Sequence, residues 1–137
     1  MGNSFIIDFT DKRKSTNFNI VKKLLLKTKG AKILELIDYI HPLTNLSKKQ
    51  FDISNHINLS GVNPLQGANF VSLTDIYKSK NGIVVVGLKE GVEPNSHEKK
   101  ILLKSNVKAY CYNLVPTVIL AASLGFKIKA IGIVKEK

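Results

Sequence analysis

Ile83-Val84-Val85-Val86 sets four β-branched residues in a row. Such a run is stiff at χ1 and fits a strand buried on both faces far better than a helix. Five further short apolar runs read as strands: Phe5–Phe9, Ile33–Ile37, Phe51–Ser54, Val107–Cys111 and Ile128–Val134. Segments with helical spacing lie between them. Ile20, Val21, Leu24, Leu25 and Thr28 form one helical stripe, with Gly30 placed to end it. His97–Lys104 reads as a short amphipathic helix. Val115, Val118, Ile119 and Ala122 mark a third, with Pro116 in its first turn and Gly125 just past its end. Strands alternating with helices predict an α/β fold, with a mainly parallel sheet, right-handed crossovers and helices on its flanks. Asp11–Asn17, His41–Leu46 and Gly87–Ser96 read as loops. Asn69–Asn81 shows no clear pattern beyond a turn around Leu73–Tyr77.

The 137 residues are enough for one core, so a single domain over 1–137 is expected. An apolar fraction of 44% and a mean hydropathy of +0.02 fit a folded globular chain. No apolar run approaches the ~18 residues of a membrane helix. Met1–Ile7 is too short and uncharged for a secretory signal. A lone Cys111 excludes an internal disulfide and fits a reducing cytoplasm. The net charge is +11, which raises nucleic acid as a partner. Two features weigh against it. The basic residues divide evenly, ten in 1–69 and eleven in 70–137, and only Arg13 is an arginine. Base readers lean on the bidentate guanidinium. A solvated lysine-rich surface is the simpler reading.

Asn55–Asn69 is polar and turn-rich, with two Gly, one Pro and four Asn between apolar runs, and reads as an ordered loop. Its His56-Ile57-Asn58-Leu59, followed by Asn63-Pro64-Leu65, resembles a segment of the trimeric purine nucleoside phosphorylases. Other blocks resemble that family in order: Lys29–Leu34, Asp75-Ile76-Tyr77, Gly82–Val86, and Val115-Pro116 with Ala121 and Gly125–Ile128. The match covers most of 20–137, and only the Asn55–Asn69 block is specific.

The resemblance implies a phosphorylase-like sheet and a site for a purine nucleoside and phosphate, usually within an oligomer. It also implies that much of the site is missing. The family's first Gly-Ser-Gly phosphate loop has no counterpart. Arg13 alone could serve its Arg-and-His phosphate loop. The bulky Tyr39-Ile40-His41 stands where the family has Ala-Ala-Gly. Tyr112-Asn113 replaces the Met-Ser pair that touches ribose and phosphate. Glu136 replaces an Asn after the last strand. Glu93 falls where the family places its purine-binding Glu.

The residues singled out for substrate are therefore Glu93, His56, Asn58, Tyr112 and Asn113, with Arg13 for phosphate and no catalytic residue. Each has a plainer reading. His56 and Asn58 would satisfy backbone groups of the loop, Glu93 and Arg13 would be solvated, and Cys111 would be a small buried hydrophobe. His41 and His97 lack a third ligand at metal spacing, so no metal is expected. No cofactor is expected, and inorganic phosphate would be a co-substrate only in an active enzyme.

The function expected is a degenerate, non-catalytic relative that keeps the fold, with either oligomerisation (with itself or a full-length relative) or weak nucleoside binding retained. An active phosphorylase completed by a partner chain is one alternative. A basic α/β module binding RNA or an acidic protein is another. No membrane contact is expected.

Overall fold

The computed structural model describes residues 4–11, 18–27, 33–59 and 76–135. In chain order the elements are β1 (Ser4–Asp8), α1 (Phe18–Lys27), β2 (Ile33–Pro42), β3 (Gln50–Leu59), β4 (Ile83–Leu88), α2 (Ser96–Lys104), β5 (Val107–Cys111), α3 (Leu114–Ser123) and β6 (Lys127–Val134).

The strands pair in the order β1-β2-β5-β4-β3-β6, and β6 returns to β2. Five strands thereby close into a barrel, and β1 flanks it on β2. The sheet is mixed, which corrects the expectation of a mainly parallel one. β1, β2 and β6 run one way, β3, β4 and β5 the other. The two groups meet antiparallel at β2–β5 and β3–β6. The reason lies in residues 43–49. A parallel return needs a crossover of about a dozen residues or more, usually a helix. No helix lies between β2 and β3, so the chain reverses there.

Two strands run further than their apolar cores indicated. β2 continues through Tyr39-Ile40-His41 to Pro42, and Leu43 N–H still donates to Lys108 O at 2.9 Å. β3 continues from Ser54 to Leu59, so Asn55–Leu59 is strand, not loop. The remainder of the Asn55–Asn69 segment lies outside the described residues. A bulge between Ile53 and Asn55 resets the alternation. Simple period-two pairing would turn Asn55, Ile57 and Leu59 inward with Ile53. Instead His56 is buried, and Ile57 and Leu59 are 38% and 58% exposed.

The core is built on strict alternation. Along β2, Leu34, Leu36, Asp38 and Ile40 are buried; along β6, Ile128, Ala130 and Gly132 are buried while Lys127 and Lys129 face out. α3 is apolar all round and buries every residue from Leu114 to Ala121. It has no side-chain cap at Asn113, but Thr117 Oγ1 donates back to Asn113 O at 2.8 Å. Gly125, at φ +91°, takes the left-handed turn that ends α3, as the sequence implied. α1 packs Val21 and Leu25 into the same core. No helix among the described residues is long and apolar enough to cross a membrane.

Gly87 on β4 allows this close packing of α3. A Cβ there would lie 2.6 Å from Val115 Cβ. Val115 is fully buried and cannot swing aside. Gly87→Ala is therefore expected to cost ~1–3 kcal/mol through overpacking, read as a lowered urea midpoint with an unchanged slope. A midpoint equal to the parent's would show that α3 is not seated as described.

Candidate functional site

The ends of β3, β4 and β5 stand in one row: Asn58 pairs with Gly87, and Gly87 with Cys111. Adjacent strands are ~4.8 Å apart, so Asn58 and Cys111 are separated by ~10 Å. Beyond Cys111 the chain presents Tyr112 and Asn113 and then enters α3. Across the β2–β5 pairing, His41 faces Tyr110. The loop between β4 and α2 brings Glu93.

These residues form an aromatic cluster packed on itself. The His41 ring stacks on Tyr110, with centroids 4.8 Å apart and planes at 17°. Tyr112 lies tilted against His41 at 5.3 Å and edge-on to Tyr110 at 6.0 Å. Tyr112 OH donates to Val92 O at 3.0 Å and straps the Glu93 loop to the strand end. Beside them the Lys135 ammonium sits 4.2 Å from the centre of the Tyr39 ring. Burial pushes the phenols of Tyr110 and Tyr112 up, and the Glu93 carboxylate adds to both shifts. Burial and Lys135 push His41 down, against the pull of Glu93. Glu93 itself is exposed.

Asp38 was not among the residues the sequence singled out, and it is the most unusual group here. It is 4% exposed. Tyr39 N–H donates to its Oδ1 at 2.8 Å, and Leu114 N–H, at the head of α3, donates to its Oδ2 at 3.1 Å. Burial raises its carboxyl to about 7. The backbone N–H groups of Tyr39, Leu114 and Asn113 pull the other way, and Asp8 adds a smaller upward push. The sequence did carry a signal. Had the alternation Leu34, Leu36 been carried past Ile37, it would have placed Asp38 on the buried face.

His56 lies two residues deeper on β3 than Asn58, in the row His56–Val85–Ala109. It is 7% exposed, with Nδ1 2.6 Å from Tyr77 OH, and its Nε2 is buried without a hydrogen-bond partner. Burial pushes it down to about 4. Tyr77 bridges to Ile128 where β3 has parted from β6, so the His56–Tyr77 bond links the two across that seam. The structure thus brings the Glu93 loop against Tyr112, with Asn113 next along the chain. It leaves Asn58 exposed in the strand-end row and sets His56 in the core. Arg13 lies outside the described residues. A cleft of about 350 Å3 opens between the starts of β3 and β4, lined by Lys48, Gln50, Asp52 and Asn81 among others, and none of the site residues named from the sequence lines it.

Asp38 and His56 pull stability in opposite directions with pH. The folded Asp38 binds its proton more tightly than the unfolded chain, so its contribution is lost as pH rises from 3.8 towards 7. The folded His56 binds its proton more weakly, so its contribution is lost as pH falls from 6.5 towards 4. Each slope is at most ~1.4 kcal/mol per pH unit, and over the shared window they offset. Urea unfolding at pH 4.5 and 6.5 should separate them. Asp38→Asn should make stability climb with pH relative to the parent, and His56→Gln should make it fall. Parallel pH profiles for the two variants and the parent would contradict the burial of both groups.

No family model and no curated protein matches the chain. Solved structures do. The Schistosoma purine nucleoside phosphorylase in complex with guanosine superposes with a TM-score of 0.73 at 20% identity, over 88% of this chain and 59% of that one. A purine nucleoside phosphorylase in complex with ribose-1-phosphate gives 0.71 at 21%, over 88% and 56%. Isoform 2 from Schistosoma mansoni, with cytosine and ribose-1-phosphate, gives 0.71 at 19%, over 89% and 54%. The chain spans 54–59% of the length of these proteins. Over that span it has the purine nucleoside phosphorylase fold.

Proposed function

We propose that this chain is a non-catalytic relative of the purine nucleoside phosphorylases that keeps their barrel and has filled its own anion position. The observation that carries this is the Asp38 carboxylate on the N–H of Leu114. A helix N-terminus favours an anion through its free N–H groups and its dipole. Here that pole is taken by the chain's own carboxylate, next to Asn113, which stands where the family has its ribose- and phosphate-contacting pair. A phosphate brought to the same N–H groups would have to displace Asp38, which already holds the Leu114 N–H.

The purine side points the same way. His41 lies against Tyr110 where the family resemblance calls for small residues, and Tyr112 is tied to Val92. Glu93 faces these rings. Phosphorolysis needs a stabilised anion and an open base cradle, and losing one preorganised donor commonly costs ~100-fold or more in rate. The solved relatives bind guanosine, inosine and hypoxanthine, so these are the ligands to offer. Hypoxanthine release from inosine with added phosphate should stay at background. Phosphate-dependent release that Glu93→Ala abolishes would establish the active alternative, with the site completed by a second chain.

Self-association belongs to the same reading. Ile57 and Leu59 sit on one outward face of β3 and are exposed in the single chain. Light scattering at micromolar concentration should give a mass above 15.2 kDa, and Ile57→Lys with Leu59→Lys should lower it to that of one chain. A parent that scatters as 15.2 kDa throughout would remove this part of the proposal.

A further inference from the structure

We infer that the outward face of α2 is a docking surface for an acidic protein segment that carries an apolar side chain. His97, Lys100, Ile101 and Lys104 fall at helical spacing within one ~100° arc, and all four are exposed. The helix's only acid is turned away from that arc. Glu98 Oε1 accepts from Asn95 N–H at 2.9 Å, while Asn95 Oδ1 accepts from Glu98 N–H at 2.8 Å. This capping box withdraws the negative charge and leaves Lys100 and Lys104 as the charged groups of that arc.

α2 differs from the other helices in what it gives the core. α1 buries Val21 and Leu25, α3 buries eight residues, and α2 buries none. Only Leu102 and Leu103 touch the small cluster around Val107 and Tyr110, each half-buried. A helix this short is marginal on its own. The reciprocal cap and these two contacts hold it formed with its outer arc presented to solvent.

Ile101 selects the class of partner. It is 52% exposed within the basic arc. A phosphate backbone pairs with lysines but gains nothing by covering an isoleucine. A protein segment with carboxylates around one apolar residue satisfies both. Lysine ammonium groups suit this, since carboxylate pairing at a surface needs point charge and not the bidentate fork of base readout.

The surface can be tested with the full chain and a synthetic helical peptide rich in Glu with Leu at every fourth position, followed by fluorescence anisotropy at 0.15 M salt. Three variants keep the helix: Lys100→Glu with Lys104→Glu, Ile101→Ser, and the control Lys127→Glu with Lys129→Glu on β6. Circular dichroism confirms that each is folded. The α2 charge swap should weaken Kd at least 10-fold, Ile101→Ser about 3-fold or more, and the β6 swap less than 2-fold. Long-range charge is screened beyond ~8 Å at this salt, so a local face stands out from the overall charge of the chain. Equal weakening by the two charge swaps would overturn the inference as a general charge effect. Tighter binding of an oligouridylate, unaffected by Ile101→Ser, would overturn it in favour of nucleic acid. Either result leaves the phosphorolysis proposal as it stands, since α2 carries none of the residues on which that rests.

Discussion

β2 has three neighbours, and a strand has only two edges. β6 takes one edge from Ile33 to Ile40. β1 and β5 must divide the other, β1 pairing with Ile33–Ile37 and β5 with His41 and Pro42. Asp38 stands where the edge passes from one to the other. Its carboxylate reaches past the divide to the head of α3 and holds that helix over the strands it covers. Burying a carboxylate is costly, and the N–H donors offset only part of that cost. The raised pKa is the visible remainder. Two structural needs meet at this one place: an edge without a strand, and a buried helix end whose own N-cap residue gives no side-chain cap.

The opposite side of the barrel has a similar solution. β3 leaves β6 after Ile53 and needs a substitute link. The bulge at Ile53/Asn55 turns His56 inward, where its Nδ1 meets Tyr77 OH, and Tyr77 carries the pairing to Ile128. The same turn that buries a histidine expels Ile57 and Leu59. A polar group inside and two apolar groups outside follow from one extra residue in the ladder.

This explains which parts of the structure could be read from the sequence. Elements set by local chemistry were legible. Val107–Cys111 is strand over its whole span, and α3 begins and ends where Pro116 and Gly125 place it. The Asn55–Leu59 strand was not legible, because His, Asn and Ser in a row carry turn chemistry and only pairing with β4 overrides it. Barrel closure was not legible either, since it depends on which strand meets β6, and pattern along the chain does not fix that. Of the candidate residues, Glu93, Tyr112 and Asn113 came from the resemblance alone. Asp38 was passed over because the strand was ended at Ile37, just before it.

The two departures bear on each other. In a protein whose helix pole binds a ligand, that contact adds stability only in proportion to occupancy. Here the equivalent contact is covalently tethered and present in every molecule, so the seating of α3 does not depend on an anion from solution. Selection for an anion site at a helix pole would tend to remove a side chain such as Asp38, which already occupies the Leu114 N–H. Selection acting on the fold alone would keep it, because removing it leaves the buried N–H of Leu114 without its acceptor. A fold can host many functions or none. In this chain the buried carboxylate at the α3 head and the histidine packed against Tyr110 are both placed where they serve the barrel.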